Sequence, residues 1–566
     1  IHRQSRHRGG IFLKPNQACS LVTAAVAVCI ILGLAVQASA SSSAPDALGV
    51  GGESKPYVIF HLDAISSEVF FEMLDAGLLP NIAAIFSDGV VIPYALSPFA
   101  PGTEMVYPRM KRGTPVNSDD PVGWKTINRY TGGWRTWFQN CLALWKWFPR
   151  YTLTEATIGA IFEPVSALSI ANIPRMLRDF GIVEFFWFAT DAVGHIKGIE
   201  AQKASVARFD AVLRPVLNRV RRSPDDVNVV LYCDHGMSMI EEYVETEAAM
   251  AEVAGERAVL CFYPNMYLAD PMCAPEVGRE LAARHEVDFV FWREGDALIV
   301  GGHDQGTVLF DYDDEHVSYT YLGDDPFGYY DLGYRGERLT DAEWLKLTCR
   351  SLWPAVPVQV VRYMQAEESG DVVVITNPPK GMPSMEGYVA LHKGFAASDC
   401  TVPVLMTGPD IALNPVPEGI WLHKLNSEVL RIDPLAAQRS AREPHRLTVS
   451  PFEAGLTISP ARSLLLHAGL GGDNSVFLCE TDLFRSFNSR VWIGAGIVSH
   501  GGGPTATTRP ALSARLEVFI DRLVVDWRAL RSEGKTDQRL SATYETQSGF
   551  TVRWSFPNQI GLGLTW

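Results

Sequence analysis

Three aspartates that follow short apolar runs are the residues of this sequence best suited to chemistry. The runs and their aspartates are Tyr57–Leu62 before Asp63, Phe185–Thr190 before Asp191, and Val227–Cys233 before Asp234. Runs of this length indicate buried strands, and open α/β sheets bind ligands beyond the carboxyl ends of their strands. Because three carboxylates gathered at that edge repel one another, bound metal is the economical explanation.

Histidines stand close to these aspartates or in a candidate loop further along the chain. His235 directly follows Asp234, and His195 lies four residues after Asp191, a spacing that can bring both side chains to one ion. Asp-His-Gly is also a serviceable turn, so the first pair alone leaves the metal site open. A second ion still lacks a nitrogen ligand, and His392, in a glycine-bearing loop, is the candidate.

Thr103 is the candidate nucleophile. It follows Pro101-Gly102, where a helix is expected to begin and backbone N–H groups are free. The simpler alternative is an ordinary N-cap. Beside two cations, however, a hydroxyl at this place becomes an activated nucleophile.

Five segments in chain order resemble the alkaline phosphatase superfamily, closest to its type I phosphodiesterase/nucleotide pyrophosphatase branch. They are IFHLDA with LPNIAAIFSDG, APGTEMVYPRMKRGTPV, FATDAVGHIKG, LYCDHGMS, and LHKGFAASDCTVPVLMTGPDI. The resemblance implies an α/β fold, an alkaline-phosphatase-like core with a mostly parallel central sheet. It also implies that Thr103 attacks phosphorus and that water then hydrolyses the phosphothreonine.

The resemblance further implies a site for two Zn²⁺ ions. The expected ligands are Asp63, Thr103, Asp234 and His235 for one ion, and Asp191, His195 and His392 for the other. The family usually has His-Gly where this chain has His392-Lys393-Gly394, which makes His392 the least secure ligand. Sulfatases share the scaffold but need a cysteine or serine that is converted to formylglycine, and Thr103 cannot be converted.

The chain divides into five predicted parts. They are a signal peptide (1–40), a flexible linker (41–55), the metallohydrolase domain (56–411) with a cap insert at about 114–175, a second linker (412–445) and a C-terminal β domain (446–566). Residues 1–20 are basic, 21–36 are apolar, and Ala38-Ser39-Ala40 resembles a cleavage site. The alternative is an uncleaved anchor through residues 21–36.

Five tryptophans and four basic residues concentrate in the predicted cap. The tryptophans are Trp124, Trp134, Trp137, Trp145 and Trp147, interspersed with Lys125, Arg129, Arg135 and Lys146. An aromatic packing layer is the favoured interpretation, and a surface that meets lipid headgroups is the alternative.

The C-terminal domain consists of about eight alternating apolar and polar segments separated by turn residues. The last strand places Ile560, Leu562, Leu564 and Trp566 on one face. Alternation of this kind with a final aromatic residue resembles a small outer-membrane barrel of a Gram-negative bacterium. A soluble β-sandwich is the alternative, and the barrel is favoured over it.

The net charge and the cysteine content of the chain bear on which partners and which kinds of site are expected. The formal charge is -15, and removal of the basic leader would make the remaining chain more acidic, so no nucleic-acid surface is evident. Seven cysteines follow the leader without a CxxC motif, so neither a disulfide framework nor a thiolate zinc site is indicated.

Together these features predict an exported, metal-dependent phosphodiesterase or phosphatase. The enzyme is expected in the periplasm or the outer membrane, and its expected partner is a phosphate ester substrate. The C-terminal domain is expected to contact the membrane. A phosphotransferase or mutase, or a non-catalytic binding protein of the same fold, is the alternative. The choice between monoester and diester and the oligomeric state are left open.

Overall fold

The computed structural model describes most of the chain from residue 55 onward. The described residues are 55–114, 122–136, 139–140, 147, 163–173, 176–177, 181–214, 216, 218, 227–304, 306–382, 387–413, 415–433, 446–450, 453–461, 464–471, 474–485, 489–500, 507–520, 523–532, 535–545, 550–555 and 559–565. The predicted signal peptide, nearly all of the first linker, and Trp137 and Trp145 lie outside them.

Eleven α-helices lie in the described part of the chain. They are α1 (Ser67–Asp75), α2 (Pro80–Ile85), α3 (Thr103–Arg112), α4 (Glu163–Ile170), α5 (Ala189–Lys197), α6 (Ile199–Val212), α7 (Thr246–Ala254), α8 (Ala274–Ala282), α9 (Asp341–Thr348), α10 (Val356–Met364) and α11 (Ala397–Cys400). None of the described helices is both long enough and apolar enough to cross a membrane.

Twenty strands lie in the described residues that precede the C-terminal region. They are β1 (Tyr57–Leu62), β2 (Val90–Leu96), β3 (Thr126–Ile127), β4 (Trp134–Arg135), β5 (Ile182–Trp187), β6 (Asn228–Cys233), β7 (Ser238–Met239), β8 (Glu242–Tyr243), β9 (Ala258–Phe262), β10 (Asn265–Leu268), β11 (Phe289–Arg293), β12 (Leu298–His303), β13 (Gly306–Tyr312), β14 (His316–Gly323), β15 (Leu339–Thr340), β16 (Val372–Ile375), β17 (Lys380–Gly381), β18 (Ala390–Leu391), β19 (Thr401–Thr407) and β20 (Gly419–Trp421).

The central sheet has six strands in the order β20-β2-β19-β6-β1-β5. Strand β1 runs parallel to both β5 and β6, and β2 runs parallel to β20, whereas β19 is antiparallel to both of its neighbours. All six residues of β1, β5 and β6 are buried, which explains their continuous apolar runs. The sheet is therefore mixed. Its three neighbouring strands β6, β1 and β5 are parallel, and these are the strands that the three aspartates follow in the chain.

A second, eight-stranded sheet has the order β15-β14-β13-β12-β11-β16-β10-β9 and is antiparallel throughout. Its aromatic core includes Phe291 and Phe310, and the same core contains Phe99 and Phe395 from the segments near Thr103 and His392. The second sheet thus supports the loops that lead to the candidate site.

Ten antiparallel strands are described in the C-terminal region. They are β21 (Arg446–Ser450), β22 (Glu453–Ala461), β23 (Leu464–Gly471), β24 (Asn474–Arg485), β25 (Ser489–His500), β26 (Thr507–Ile520), β27 (Leu523–Ser532), β28 (Lys535–Glu545), β29 (Phe550–Ser555) and β30 (Gln559–Thr565). Each pairs with its neighbour in the chain, and β21 also pairs with β30.

The prediction of a mixed α/β domain followed by an all-β region is confirmed at that level. The predicted number of about eight segments is too low, because two of those segments each contain two strands. Residues 446–459 divide into β21 and the start of β22, and residues 511–528 divide between β26 and β27.

Candidate active site

Parallel pairing brings two of the aspartates side by side. Leu62 at the end of β1 pairs with Cys233 at the end of β6, so Asp63 and Asp234 leave the sheet at the same level. Leu62 also pairs with Trp187 of β5, which leads into α5 and its first-turn residue Asp191. The strand ends therefore deliver three carboxylates to one crevice, as the sequence pattern indicated.

The hydroxyl of Thr103 points into this group of carboxylates. Its Oγ1 donates to Asp234 Oδ2 at 2.9 Å and lies 3.3 Å from Asp63 Oδ1 and 3.4 Å from His235 Nε2. Helix α3 begins at Thr103 with Gly102 as its N-cap, and no side chain caps it. The simple N-cap role is therefore not observed, and the hydroxyl is held where it can react.

Three histidines present their Nε2 atoms to the aspartates in the same way. The Nδ1 atoms of His195, His235 and His392 lie 2.8, 3.0 and 2.7 Å from the carbonyl oxygens of Ala390, Gly236 and Pro101. A carbonyl only accepts, so Nδ1 is the donor in each ring, and in the neutral imidazole Nε2 then keeps a free lone pair. Metal-ligating histidines typically have this arrangement.

The ligand atoms fall into two groups that share His235. Asp63, Asp234 and His235 form one group, and Asp191, His235 and His392 form the other, with ligand atoms within 4.8 Å of one another in each. His195 contacts the second group through Asp191, whose Oδ1 lies 3.2 Å from His195 Nε2 and 3.7 Å from His392 Nε2. All seven predicted residues are thus brought together, but His235 lies between the groups, in contrast to the predicted division.

Electrostatic repulsion in the site is visible in the titration of its carboxylates. Burial, reinforced by the charges of Asp234 and Asp191, raises the pKa of Asp63 well above its ordinary value. Burial alone would also raise the pKa of Asp234, but the nearby His235 and His61 lower it. The surroundings thus favour the protonated form of Asp63 and the ionised form of Asp234 relative to an ordinary aspartate, as expected for closely spaced acids without a cation.

The surroundings of His392 favour its neutral form. Burial, together with the neighbouring rings of His235 and His195, lowers the pKa of His392 well below its ordinary value. Its ring stacks on that of His235, with centroids 4.0 Å apart. A histidine that stays neutral keeps the Nε2 lone pair that a metal ligand requires.

The donor set fits divalent cations. Within the described residues, Asp63 Oδ2 and Asp191 Oδ1 form no hydrogen bond of good geometry, and the Nε2 atoms of His195 and His392 lie 3.2 and 3.7 Å from Asp191 Oδ1. Carboxylate oxygen and imidazole nitrogen without thiolate suit a Lewis-acidic Zn²⁺ site that keeps positions open for substrate. Because His235 belongs to both groups, the predicted division of the seven residues between two ions stays a prediction.

The His392 loop accommodates its extra lysine by an unusual backbone conformation. Lys393 has φ 95°, in the left-handed region that normally favours glycine. Its Nζ lies 2.8 Å from Oε1 of buried Glu104, the residue after Thr103. This ion pair links the His392 loop to the start of α3, so the departure from His-Gly does not displace His392 from the site.

Asp399 joins the two loops that carry His235 and His392. Its Oδ2 accepts from Gly394 N at 2.9 Å, and its main-chain carbonyl accepts from Gly236 N at 2.7 Å. Burial raises the pKa of Asp399 to about 6. Gly236 is required here, because a Cβ atom would lie 1.9 Å from the carbonyl oxygen of Ser398.

Two tryptophans of the predicted cap pack close to the site. Trp124 and Trp147 are partly buried against Tyr107 and Phe186, whereas Trp134 is largely exposed. The first two fit the aromatic packing layer, and whether the segment forms a cap stays a prediction.

Comparisons with known proteins give only distant similarity. No protein-family model and no curated protein matches the chain. Similar solved structures include murine and human ectonucleotide pyrophosphatase/phosphodiesterase 5, and the inactive murine protein in complex with AMP. Each has 12% identity and a TM-score of 0.43, and covers 67% of this chain and 95%, 95% and 96% of the respective structures. Similarity at this level establishes neither the fold nor the activity of this chain.

Sequence reasoning did not identify two residues that support the site, Asp399 and His61. Asp399 stands in one of the quoted segments, but its role depends on loops that are far apart in the sequence. His61 stands within the apolar run of β1, where an isolated polar residue before Asp63 was the available signal.

Proposed function

We propose that this chain is an exported, metal-dependent phosphoric ester hydrolase of the alkaline phosphatase type. The observation that carries the proposal is the Thr103 hydroxyl, bonded to Asp234 and surrounded by the oriented Asp/His set. Two Zn²⁺ ions are the expected cofactors, and a phosphodiester or phosphomonoester is the expected substrate. The resemblance of the five sequence segments supports the same assignment.

The residues of the chain have distinct roles in this proposal. Thr103 provides the nucleophilic oxygen, at the positive end of the α3 dipole, where N–H groups favour phosphate oxygens. Asp234 accepts the hydroxyl hydrogen bond, and the histidines keep their Nε2 lone pairs free. Two divalent ions at such a site supply Lewis-acid stabilisation of the attacking and leaving oxygens. Attack of the Thr103 oxygen on phosphorus breaks the ester P–O bond, so that the alcohol leaves and takes up a proton as the hydroxyl loses one, and a phosphothreonine forms. Water then cleaves the Thr103 O–P bond, which releases the phosphoryl group and regenerates the free hydroxyl.

A panel of phosphate esters tests this assignment. With added zinc, the full chain is expected to hydrolyse an aryl phosphate, a bis-aryl phosphate or a phospholipid substrate. The relative kcat/KM values decide between monoester and diester. An aryl sulfate is the matched control and is expected to react far more slowly. Absence of turnover on the entire panel, in a zinc-loaded and folded chain, would contradict the hydrolase assignment.

We also propose that the C-terminal region attaches the enzyme to an outer membrane as a β-barrel. Many of its described side chains are distributed opposite to those of a water-soluble sheet protein, although Leu478, Trp492 and Phe519 are buried. Charged residues including Glu480, Glu517 and Asp526 are buried, while large apolar residues are exposed. The exposed set comprises Phe477, Ile493, Ile497, Leu512, Leu516, Trp527, Leu540, Tyr544 and Val552.

Neighbouring residues show this inversion directly. Leu512 is 63% exposed, whereas Ser513 is buried, and Trp527 is exposed beside buried Asp526. Arg515 pairs with Asp526 and, at 2.6 Å, with Glu517. A polar interior and an apolar outer band are the pattern of outer-membrane barrels, and the pairing of β21 with β30 supports the proposal of a closed sheet.

Membrane fractionation tests the proposed attachment of the C-terminal region to an outer membrane. The full chain is expected to remain with outer membranes after high-salt or carbonate extraction, and to migrate differently on gels when unheated in detergent. Deletion of residues 441–566 is expected to release a soluble, active enzyme, because all seven proposed site residues precede Ile411. A full chain that is monomeric in buffer without detergent would contradict the membrane proposal but not the hydrolase assignment.

A further inference from the structure

His61 is a fully buried imidazole that the proposed reaction does not use. It lies on β1 between Tyr232 of β6 and Phe186 of β5, its partners in the two parallel ladders. Its ring centroid is 4.6 Å from that of Tyr232, 4.1 Å from Phe186 and 5.6 Å from Tyr107 of α3. Packing against these three aromatic rings does not require a polar side chain, and a phenylalanine at position 61 would pack against them as well.

The two oxygens of Asp234 have different surroundings. Oδ1 accepts from the main-chain N–H groups of Ala64 and His235, at 3.3 and 3.0 Å, and lies 3.2 Å from His61 Nε2. Oδ2 accepts the Thr103 hydroxyl at 2.9 Å and faces the ligand group. The carboxylate is thus held through one oxygen and presents the other to the site.

The hydrogen bonding of the His61 imidazole is incomplete within the described residues. Nδ1 has no hydrogen-bond partner there, and the contact of Nε2 is with Asp234 Oδ1 at 3.2 Å, outside strict hydrogen-bond geometry. Burying a polar ring without complete partners is unfavourable. A buried polar side chain with incomplete hydrogen bonding in a native core therefore needs an explanation. Metal sites offer one, because a side chain behind a metal-binding carboxylate holds that carboxylate in the orientation that metal binding requires.

We propose that His61 is a positioning residue for Asp234: its Nε2–H group holds Oδ1 and thereby directs Oδ2 toward Thr103 and the metal. This role rests on the proposed function. It makes His61 part of the metal-binding apparatus without direct contact with metal or substrate. It also explains why a polar residue interrupts the apolar run of β1.

Two isosteric substitutions separate positioning from packing. A glutamine amide nitrogen can occupy the place of His Nε2, whereas an asparagine amide nitrogen reaches only the place of Nδ1. Zinc affinity is measured on the full chain in detergent, after metal removal, by competition with a chromophoric chelator. His61→Gln is expected to bind zinc nearly as the wild type does, and His61→Asn on the order of 10- to 100-fold more weakly.

Phe186→Leu is the matched control, since it removes a ring from the same stack without touching Asp234. It is expected to lower the Tm of the metal-free chain and to leave zinc affinity unchanged. Equal zinc affinities for His61→Gln and His61→Asn would overturn the positioning role. A wild-type chain that takes up no zinc would overturn both this role and the proposed metal site, which distinguishes the two failures.

Discussion

Thr103→Ala is expected to lose nearly all hydrolysis, with kcat lower by a factor on the order of 10³ to 10⁶, the range seen when a nucleophile is removed. The reason is that the only hydroxyl bonded to Asp234 in the described site disappears. Steady-state kinetics on the best ester of the panel measures the loss. Thr103→Ser keeps the hydroxyl and is expected to retain much of the activity.

Metal content and folding provide the control for this substitution. Thr103→Ala is expected to keep zinc, because the Asp and His ligands remain, and to keep a cooperative thermal transition. Near-normal turnover in Thr103→Ala would show that water or another residue attacks phosphorus, and the assignment of Thr103 would be wrong.

Removal of metal is expected to abolish hydrolysis and lower thermal stability together. Without cations, Asp63, Asp191 and Asp234 repel one another, as the raised pKa of Asp63 shows. Zinc bound only to the folded state contributes about 4 kcal/mol per site when its free concentration is about 1,000 times Kd. Dialysis against a strong chelator, followed by kinetics and calorimetry, measures both effects.

Readdition of zinc should restore both properties, and magnesium at the same concentration is the control. Imidazole-rich sites favour zinc, whereas magnesium prefers carboxylate and water oxygens, so magnesium is expected to restore less. Full activity and an unchanged Tm after exhaustive chelation would contradict a metal-dependent mechanism.

The positions of two of the three aspartates could be predicted from sequence because the signal is local. A short apolar run followed by an acid is sufficient to place Asp63 and Asp234 at strand ends, and parallel pairing then brings them together. The predicted strand Phe185–Thr190 is wrong at its end, because β5 stops at Trp187 and Asp191 lies in the first turn of α5. Thr103 could be predicted as the candidate nucleophile because it follows Pro101-Gly102, where a helix was expected to begin. What this pattern could not show is that His235 lies between both ligand groups, which depends on the turn after β6 and on the His392 loop.

The supporting residues and the second sheet could not be predicted because they depend on contacts between distant segments. The Asp399 hydrogen bonds join loops separated by more than 150 residues, and His61 gains its neighbours only when three strands align. The number of tail strands was underestimated for a local reason. Pro451-Phe452 and Asp521-Arg522 separate strands without the glycine or asparagine that usually marks a hairpin.

Elemental analysis of the purified full chain tests the central claim, a two-metal Asp/His site, most directly. The wild-type chain is expected to contain two zinc ions, and Asp63→Asn and Asp191→Asn are each expected to contain fewer, since each removes a ligand from one group. Asp304→Asn, an exposed acid outside the site, is the matched control and should match the wild type. A folded wild-type chain that holds no transition metal after incubation with zinc would contradict the account.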